Sequence, residues 1–322
     1  MKWPERYLRL GPAEVRKKAR ACEAAYAGAC AEMQIDEDLG PYLKALYIPL
    51  AAWLVHERAR ADRALVIGIT GGQGSGKSTV SALLSVVLRE AFGSQAVALS
   101  IDDIYETRAA RERLAVEVHP LFVTRGVPGT HDAALGIATI RSLIEGAGAT
   151  CLPSFDKATD DRRPRSGWRS VQGPIDFVLF EGWCVGARAQ SAGALAEPIN
   201  TLEREEDPGA VWRTAVNVQL ETIYRELFAL IDVQIMLNVG SMARVYEWRR
   251  LQERKLRASV RDRRESNGQV VRVMTDAEVE RFVMHYERLT RHLLREMPER
   301  ADVVLWLDET HNAARVQINR SG

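Results

Sequence analysis

The run Gly71-Gly72-Gln73-Gly74-Ser75-Gly76-Lys77-Ser78-Thr79 gathers four glycines, a lysine and a pair of adjacent hydroxyls. Its spacing fits G-x-x-x-x-G-K-[ST]. Glycines let a loop fold its backbone N–H groups inward around an anion, and a following helix adds the partial positive charge of its N-terminus. In such a loop the Lys77 ammonium reaches the β- and γ-phosphates of a nucleoside triphosphate, and the Ser78 hydroxyl ligates Mg²⁺. The segment therefore predicts a triphosphate site. It leaves open what the triphosphate is for. No DxxG, NKxD or LSGGQ-like string occurs in the chain. Without the GTPase and ABC signatures, the remaining class is enzymes that pass a phosphate to a small molecule.

Such an enzyme needs a group to accept the proton of the attacking hydroxyl. Asp102 and Asp103, in Ser100-Ile101-Asp102-Asp103-Ile104-Tyr105, follow an apolar run and stand where a strand would open onto a ligand crevice. Position alone also allows them to cap a following helix; the phosphate loop one βα unit earlier favours catalysis. Glu181 ends the apolar run Phe177–Phe180, where a carboxylate would hold Mg²⁺, through a water, or the acceptor. Arg125, His131 and Asp132 stand together in Arg125–Asp132, and Phe155–Arg163 is a second loop of mixed charges. An anionic acceptor calls for a bidentate arginine, and Arg125 is the first candidate. Between Ser241 and Arg264 nine basic residues face three acids, a local net of +6. A solvated basic helix is the usual meaning of such a run. After a strand of a phosphate-transfer enzyme, it also suits a lid whose cations meet the triphosphate. No aromatic-rich nucleic-acid signature accompanies the charge.

These groups require a scaffold. Leu65–Thr70, Ala96–Ile101, Ile175–Phe180, Val233–Val239 and Val303–Leu307 are short apolar runs rich in β-branched residues, which suit parallel strands covered on both faces. Between them Ser78–Ala91, Asp132–Ile144 and Val211–Ile231 read as crossover helices. Thr275 and Glu278 form a capping box opening a last helix over 276–297. Before residue 60, helical periodicity runs through Val15, Ala19, Cys22, Tyr26, Ala29 and Met33. Past the Gly40-Pro41 break it resumes through Leu43, Leu46, Tyr47, Leu50, Trp53 and Leu54. The expectation is a doubly wound α/β domain over 61–322, with a lid at about 241–265 and a helical N-terminal extension over 1–60.

Composition agrees with a globular chain: 322 residues, 46% hydrophobic, 27% charged, 44 basic against 43 acidic. The near-neutral balance argues against a whole-protein nucleic-acid binder. Four cysteines without CxxC spacing read as free thiols in a reducing compartment. The longest apolar run, Ala45–Val55, contains Pro49 and falls short of the ~20 residues a membrane span needs. The N-terminus lacks an apolar signal core, and Glu5 and Glu14 argue against a presequence. A cytoplasmic protein without membrane or nucleic-acid partners is expected; oligomeric state is not legible.

Together GGQGSGKST (71–79), SIDDIY (100–105), RGVPGTHD (125–132), FDKATDDRRP (155–164), FEGWCVGAR (180–188), EWRRLQERKLR (247–257) and HYERLTRH (285–292) resemble the plant-type D-glycerate 3-kinases. The likeness runs in order from about residue 62 to the end. More broadly the chain is similar to the uridine kinase, phosphoribulokinase and pantothenate kinase group. The resemblance implies a five-stranded parallel core, a lid, and transfer of the ATP γ-phosphate to the 3-hydroxyl of D-glycerate with Mg²⁺. It implies Asp102 as base with Asp103 its neighbour in the pocket; Tyr105, Arg125, His131 and Asp132 are the further candidate acceptor contacts. It implies Lys77, Ser78 and Thr79 at the phosphates and Mg²⁺, Glu181 as second acid, and Arg249 and Lys255 as lid cations. Ile104 and Glu106 depart from the family pattern next to the expected acceptor pocket. The competing readings are a kinase of the same group with another acceptor, or an ATP-binding regulatory protein.

Overall fold

The computed structural model describes residues 3–35, 37–267 and 274–320, and in the helix through 267 it describes side chains only as far as Arg254 and at Arg257. The N-terminal part is helical: α1 (Pro12–Glu32), a short turn α2 (Gly40–Tyr42), a π-helical turn over Leu43–Tyr47, and α3 (Ile48–Ala61). The next elements are β1 (Leu65–Gly71), α4 (Lys77–Phe92), β2 (Ala96–Ser100), α5 (Arg108–Glu117) and α6 (Ala133–Glu145). Two small ribbons then precede the central strand: β3 (Ala149–Leu152) with β6 (Arg169–Gln172), and β4 (Phe155–Asp156) with β5 (Asp161–Arg162). The second half comprises β7 (Phe177–Gly182), α7 (Ala192–Leu195), α8 (Thr201–Glu206), α9 (Val211–Glu221), α10 (Ile223–Phe228) and β8 (Val233–Asn238). It closes with α11 (Met242–Asn267), α12 (Asp276–Arg300), β9 (Val303–Leu307) and β10 (Ala313–Ile318).

The main sheet has strand order β10-β9-β8-β1-β7-β2. Five strands run parallel, as the apolar runs predict, but the sheet is mixed and six-stranded because β10 pairs antiparallel with β9. β10 escapes sequence reading because it is an edge strand, and Ala314 and Arg315 within it are exposed. The predicted helix over Val211–Ile231 is two helices that meet at Thr222, whose backbone (φ −109°, ψ −107°) is not helical. Thr275 and Glu278 form the capping box that starts α12.

Residues alternate between two cores, as a strand's period of two requires. Leu65, Ile67 and Ile69 face one core with Leu179, Ile235 and Leu305; Val66, Val178, Phe180 and Val304 face the other. α6, α10 and the C-terminal half of α12 cover the second face. α4 and the N-terminal helices cover the first: Tyr26, Leu46, Tyr47, Leu50, Trp53 and Leu54 are all buried there. Each fully buried side chain of this size contributes roughly 1.5–3 kcal/mol. Six of them rival the ~5–15 kcal/mol net stability of an ordinary domain. Residues 12–61 are thus part of the packing of the sheet. No helix among the described residues is long and apolar enough to cross a membrane.

Candidate active site

Parallel register brings the chemistry to one edge of the sheet. Ile69 of β1 lies beside Glu181 of β7, and Glu181 in turn lies beside Ser100 of β2. The phosphate loop, Glu181 and the Asp102 turn therefore leave three adjacent strands at one level.

From β1 the chain turns through Gly72–Gly76 into α4. Gly74 and Gly76 have φ of +77° and +83°, the left-handed region where a side chain is strained. Gly74 is doubly constrained, since a Cβ there would stand 3.1 Å from Cβ of Trp248 on α11. The Lys77 ammonium donates to the Gly72 carbonyl at 3.1 Å, curling over the loop. Burial pushes the Lys77 ammonium down, and Glu181 and Asp102 pull it back only in part. The Ser78 hydroxyl donates to Glu181 Oε1 at 2.9 Å. Ser75 Oγ and Gln73 Oε1 are buried with no hydrogen-bond partner among the described residues. A buried polar atom left unpaired costs about 1–3 kcal/mol, so the loop carries unmet hydrogen-bonding capacity. The helix N-terminus, half-buried ammonium and linked Ser78–Glu181 oxygens fit a triphosphate with a hard divalent cation.

Asp102 sits in the 3-10 turn Ile101–Ile104, which is capped by the Ser100 hydroxyl accepting from the Asp102 N–H at 3.2 Å. Its carboxylate is free of capping duty. Oδ1 accepts from the Tyr105 hydroxyl at 2.9 Å, and Oδ2 accepts from the Lys157 ammonium at 2.8 Å. Burial pushes the Asp102 carboxyl up, but Lys157 and Tyr105 outweigh it and hold it below its ordinary value. Asp103 goes the other way: burial raises it against hydrogen bonds from the Phe155 and Ser100 backbone.

Tyr105 is buried, stacked on His131 (4.6 Å between centroids) and edge-on to Phe155 (5.1 Å). His131 Nδ1 lies 2.6 Å from the Tyr224 hydroxyl, whose oxygen also accepts from the Gly129 N–H at 3.0 Å. Burial pushes the His131 imidazole down to about 3 despite the pull of Asp102, so the ring is neutral near pH 7. Its Nε2 is buried without a partner among the described residues.

The other predicted contacts are already engaged. Arg125 is hydrogen-bonded to Asp160 and lies over the Phe155 ring at 5.5 Å. Asp132 caps α6 through Oδ1, accepting from the Leu135 N–H at 2.9 Å, and receives Arg162 on Oδ2 at 3.0 Å. Ile104 is buried in the core under the sheet, and Glu106 faces Arg162 at 3.5 Å. On α11, Arg249 pairs with Glu253 at 2.8 Å and lies over the Phe282 ring at 5.3 Å. Lys255 lies on the same helix, with its side chain outside those described. Thr79 is in the first turn of α4. Lys157, Asp160, Arg162 and Tyr224 join the site without having been singled out from sequence. Their partners lie 30 to 93 residues away, so no local spacing points to them.

No family model matches the chain. It is 31% identical over 233 residues to the "Uncharacterized kinase mug58" of Schizosaccharomyces pombe, covering 70% of this chain and 79% of that protein. It is 28% identical over 259 residues to the chloroplastic D-glycerate 3-kinase of Arabidopsis thaliana, covering 74% of this chain. The match spans about half of that enzyme, 52% of its length. Among solved structures, the D-glycerate 3-kinase of Cryptococcus neoformans var. grubii superposes with a TM-score of 0.68 at 24% identity. That match covers 85% of this chain and 99% of the other, a likeness of fold.

Proposed function

The chain belongs to the plant-type D-glycerate 3-kinase family, and from that premise we propose that it transfers the γ-phosphoryl group of ATP to the 3-hydroxyl of D-glycerate. The observation that carries this reading is a carboxylate, Asp102, two strands across from a complete phosphate loop, with Glu181 on the strand between them already tied to Ser78.

Asp102 accepts the proton of the 3-hydroxyl as the new oxygen–phosphorus bond forms and the bond to the bridging oxygen of ADP breaks. Tyr105, fixed between His131 and Phe155, holds the carboxylate for that role. Lys77 and the N–H groups of the loop stabilise charge on the transferring group. Ser78 and Glu181 would hold Mg²⁺, which supplies neutralisation of the β- and γ-phosphate oxygens. Arg249 and Lys255 belong to a lid on α11, where Trp248 already rests against Gly74. Closure of that lid would bring its cations to the triphosphate. Arg125, His131 and Asp132 shape the acceptor side, Arg125 and Asp132 through the partners they hold. The protein acts in the cytoplasm on a small anionic acceptor.

The test is ADP release with ATP and Mg²⁺, measured with D-glycerate, L-glycerate, uridine, pantothenate and no acceptor. Stimulation by D-glycerate alone supports the reading. Stimulation by uridine or pantothenate replaces the acceptor, and tight ATP binding with no stimulated turnover contradicts it.

A further inference from the structure

A hydroxy acid brings a negative charge to a site whose base is itself negative, so some cation must meet the acceptor's carboxylate. Lys77 feels the Asp102 charge but belongs to the phosphate loop. Among the described residues on the loops beside the Asp102 turn, four further cations, Arg111, Arg125, Arg162 and Arg163, are committed elsewhere. Arg111 is buried, holding the Val123 and Asp160 carbonyls and the Asp160 carboxylate. Arg125 is on Asp160, and Arg163 is on Asp156 at 3.0 Å. Arg162 holds the Tyr105 carbonyl at 2.9 Å and Asp132 at 3.0 Å.

Lys157 is different. Its ammonium makes one hydrogen bond among the described residues, to Asp102 Oδ2, the oxygen that a reacting hydroxyl needs. The Lys157 side chain is 63% exposed, so it is free to swing while its hairpin stays put. The hairpin itself is pinned: Arg162 ties β5 to Tyr105, Asp161 receives the Arg108 N–H at 3.0 Å, and Arg111 holds the turn at Asp160.

We infer that Lys157 is the anchor of the acceptor's carboxylate, and that acceptor binding transfers its ammonium from Asp102 to the substrate. Every charge keeps a partner in that exchange. Lys157 trades one carboxylate for another, and Asp102 Oδ2 trades an ammonium for the hydroxyl it must deprotonate. The geometry also selects a short acceptor. In a three-carbon acid the carboxylate lies two bonds from the hydroxymethyl carbon, so its cation has to stand beside the base. Lys157 does, at 2.8 Å from Asp102. Departure of the ammonium also restores proton affinity to Asp102, since Lys157 is what chiefly holds that carboxyl down. An ordinary surface ion pair, worth at most about 1 kcal/mol, would have no bearing on acceptor affinity.

This inference rests on the reading of the acceptor as D-glycerate, and the experiment separates the two. Steady-state kinetics would be measured for the wild type, Lys157→Met and Lys157→Arg with D-glycerate and with D-glyceramide, the uncharged amide of the same shape. Loss of a hydrogen bond between charged groups corresponds to roughly a 10- to 100-fold rise in KM for D-glycerate. KM for ATP should stay within about twofold. The preference for acid over amide should fall by a similar factor in Lys157→Met and recover in part in Lys157→Arg. If the wild type turns over D-glycerate and Lys157→Met keeps both its KM and its acid preference, Lys157 is a surface ion pair and the inference alone fails. If the wild type favours the amide over the acid, the inference and the acceptor reading fail together.

Discussion

Asp102→Asn separates chemistry from architecture. The carboxylate has two partners: the Tyr105 hydroxyl at 2.9 Å and the Lys157 ammonium at 2.8 Å. Asparagine keeps an oxygen to accept from Tyr105 and loses the ion pair. That pair joins a side chain 63% exposed to one 31% exposed, so its loss costs at most about 1 kcal/mol, or about 2–4 °C in Tm. Nor should ATP binding weaken. Asp102 is one of two acids acting on Lys77, and removing a negative charge near the triphosphate reduces repulsion. Turnover is another matter, because an amide cannot take the hydroxyl proton. General-base catalysis contributes about 10²–10⁴-fold, equivalent to about 3–5.5 kcal/mol of barrier. The assay is kcat by coupled ADP release, with nucleotide affinity by titration calorimetry and Tm by calorimetry on the same sample. A kcat within about threefold of wild type would remove Asp102 from proton transfer. A collapse of Tm with the loss of rate would make the residue structural.

The Tyr105 bond stabilises ionised Asp102, and kcat/KM falls as pH drops through the pKa of the base. Tyr105→Phe should therefore move the acid limb of the kcat/KM profile to higher pH, and an unmoved limb would show that another group sets it. Gly74→Ala puts a Cβ into a left-handed position 3.1 Å from Trp248, so it should cost about 1–2 kcal/mol and weaken ATP binding in a calorimetric titration. Glu203 is fully buried and accepts two of the four Arg288 hydrogen bonds, at 2.7 and 2.6 Å, far from the phosphate loop in sequence. Glu203→Gln leaves Arg288 uncompensated and should cost about 3–5 kcal/mol in urea unfolding.

The parallel strands were legible because each is apolar on both faces, and a Val- or Ile-rich run such as Leu65–Gly71 admits little else. The phosphate loop was legible because its residues are consecutive. β10 and the break at Thr222 were not: an edge strand with exposed Ala314 and Arg315 has no clean alternation, and Thr222 carries no glycine or proline to mark the kink. Around Asp102, sequence named loops that the fold brings together but not the pairings within them. Arg125 stands out as a free clamp until the fold brings Asp160 against it, and Asp132 stands out as a ligand until it caps α6. Lys157 was one charge among several in a loop until the hairpin turn set it on Asp102. The N-terminal helices looked like an extension because periodicity shows an apolar face without showing what covers it. Tyr26, Trp53 and Leu54 in the core of the sheet supply that answer.

Transfer of the γ-phosphoryl group of ATP to the 3-hydroxyl of D-glycerate, with Asp102 as base, has a product that can be seen directly. The measurement is phosphorus NMR of wild-type protein incubated with ATP, Mg²⁺ and D-glycerate, beside an Asp102→Asn sample. The resonance of 3-phosphoglycerate should grow with that of ADP in the wild type, and at most at about a hundredth of that rate in the variant. Inorganic phosphate in place of the ester, phosphate on the 2-hydroxyl, or equal rates in the two samples would contradict it.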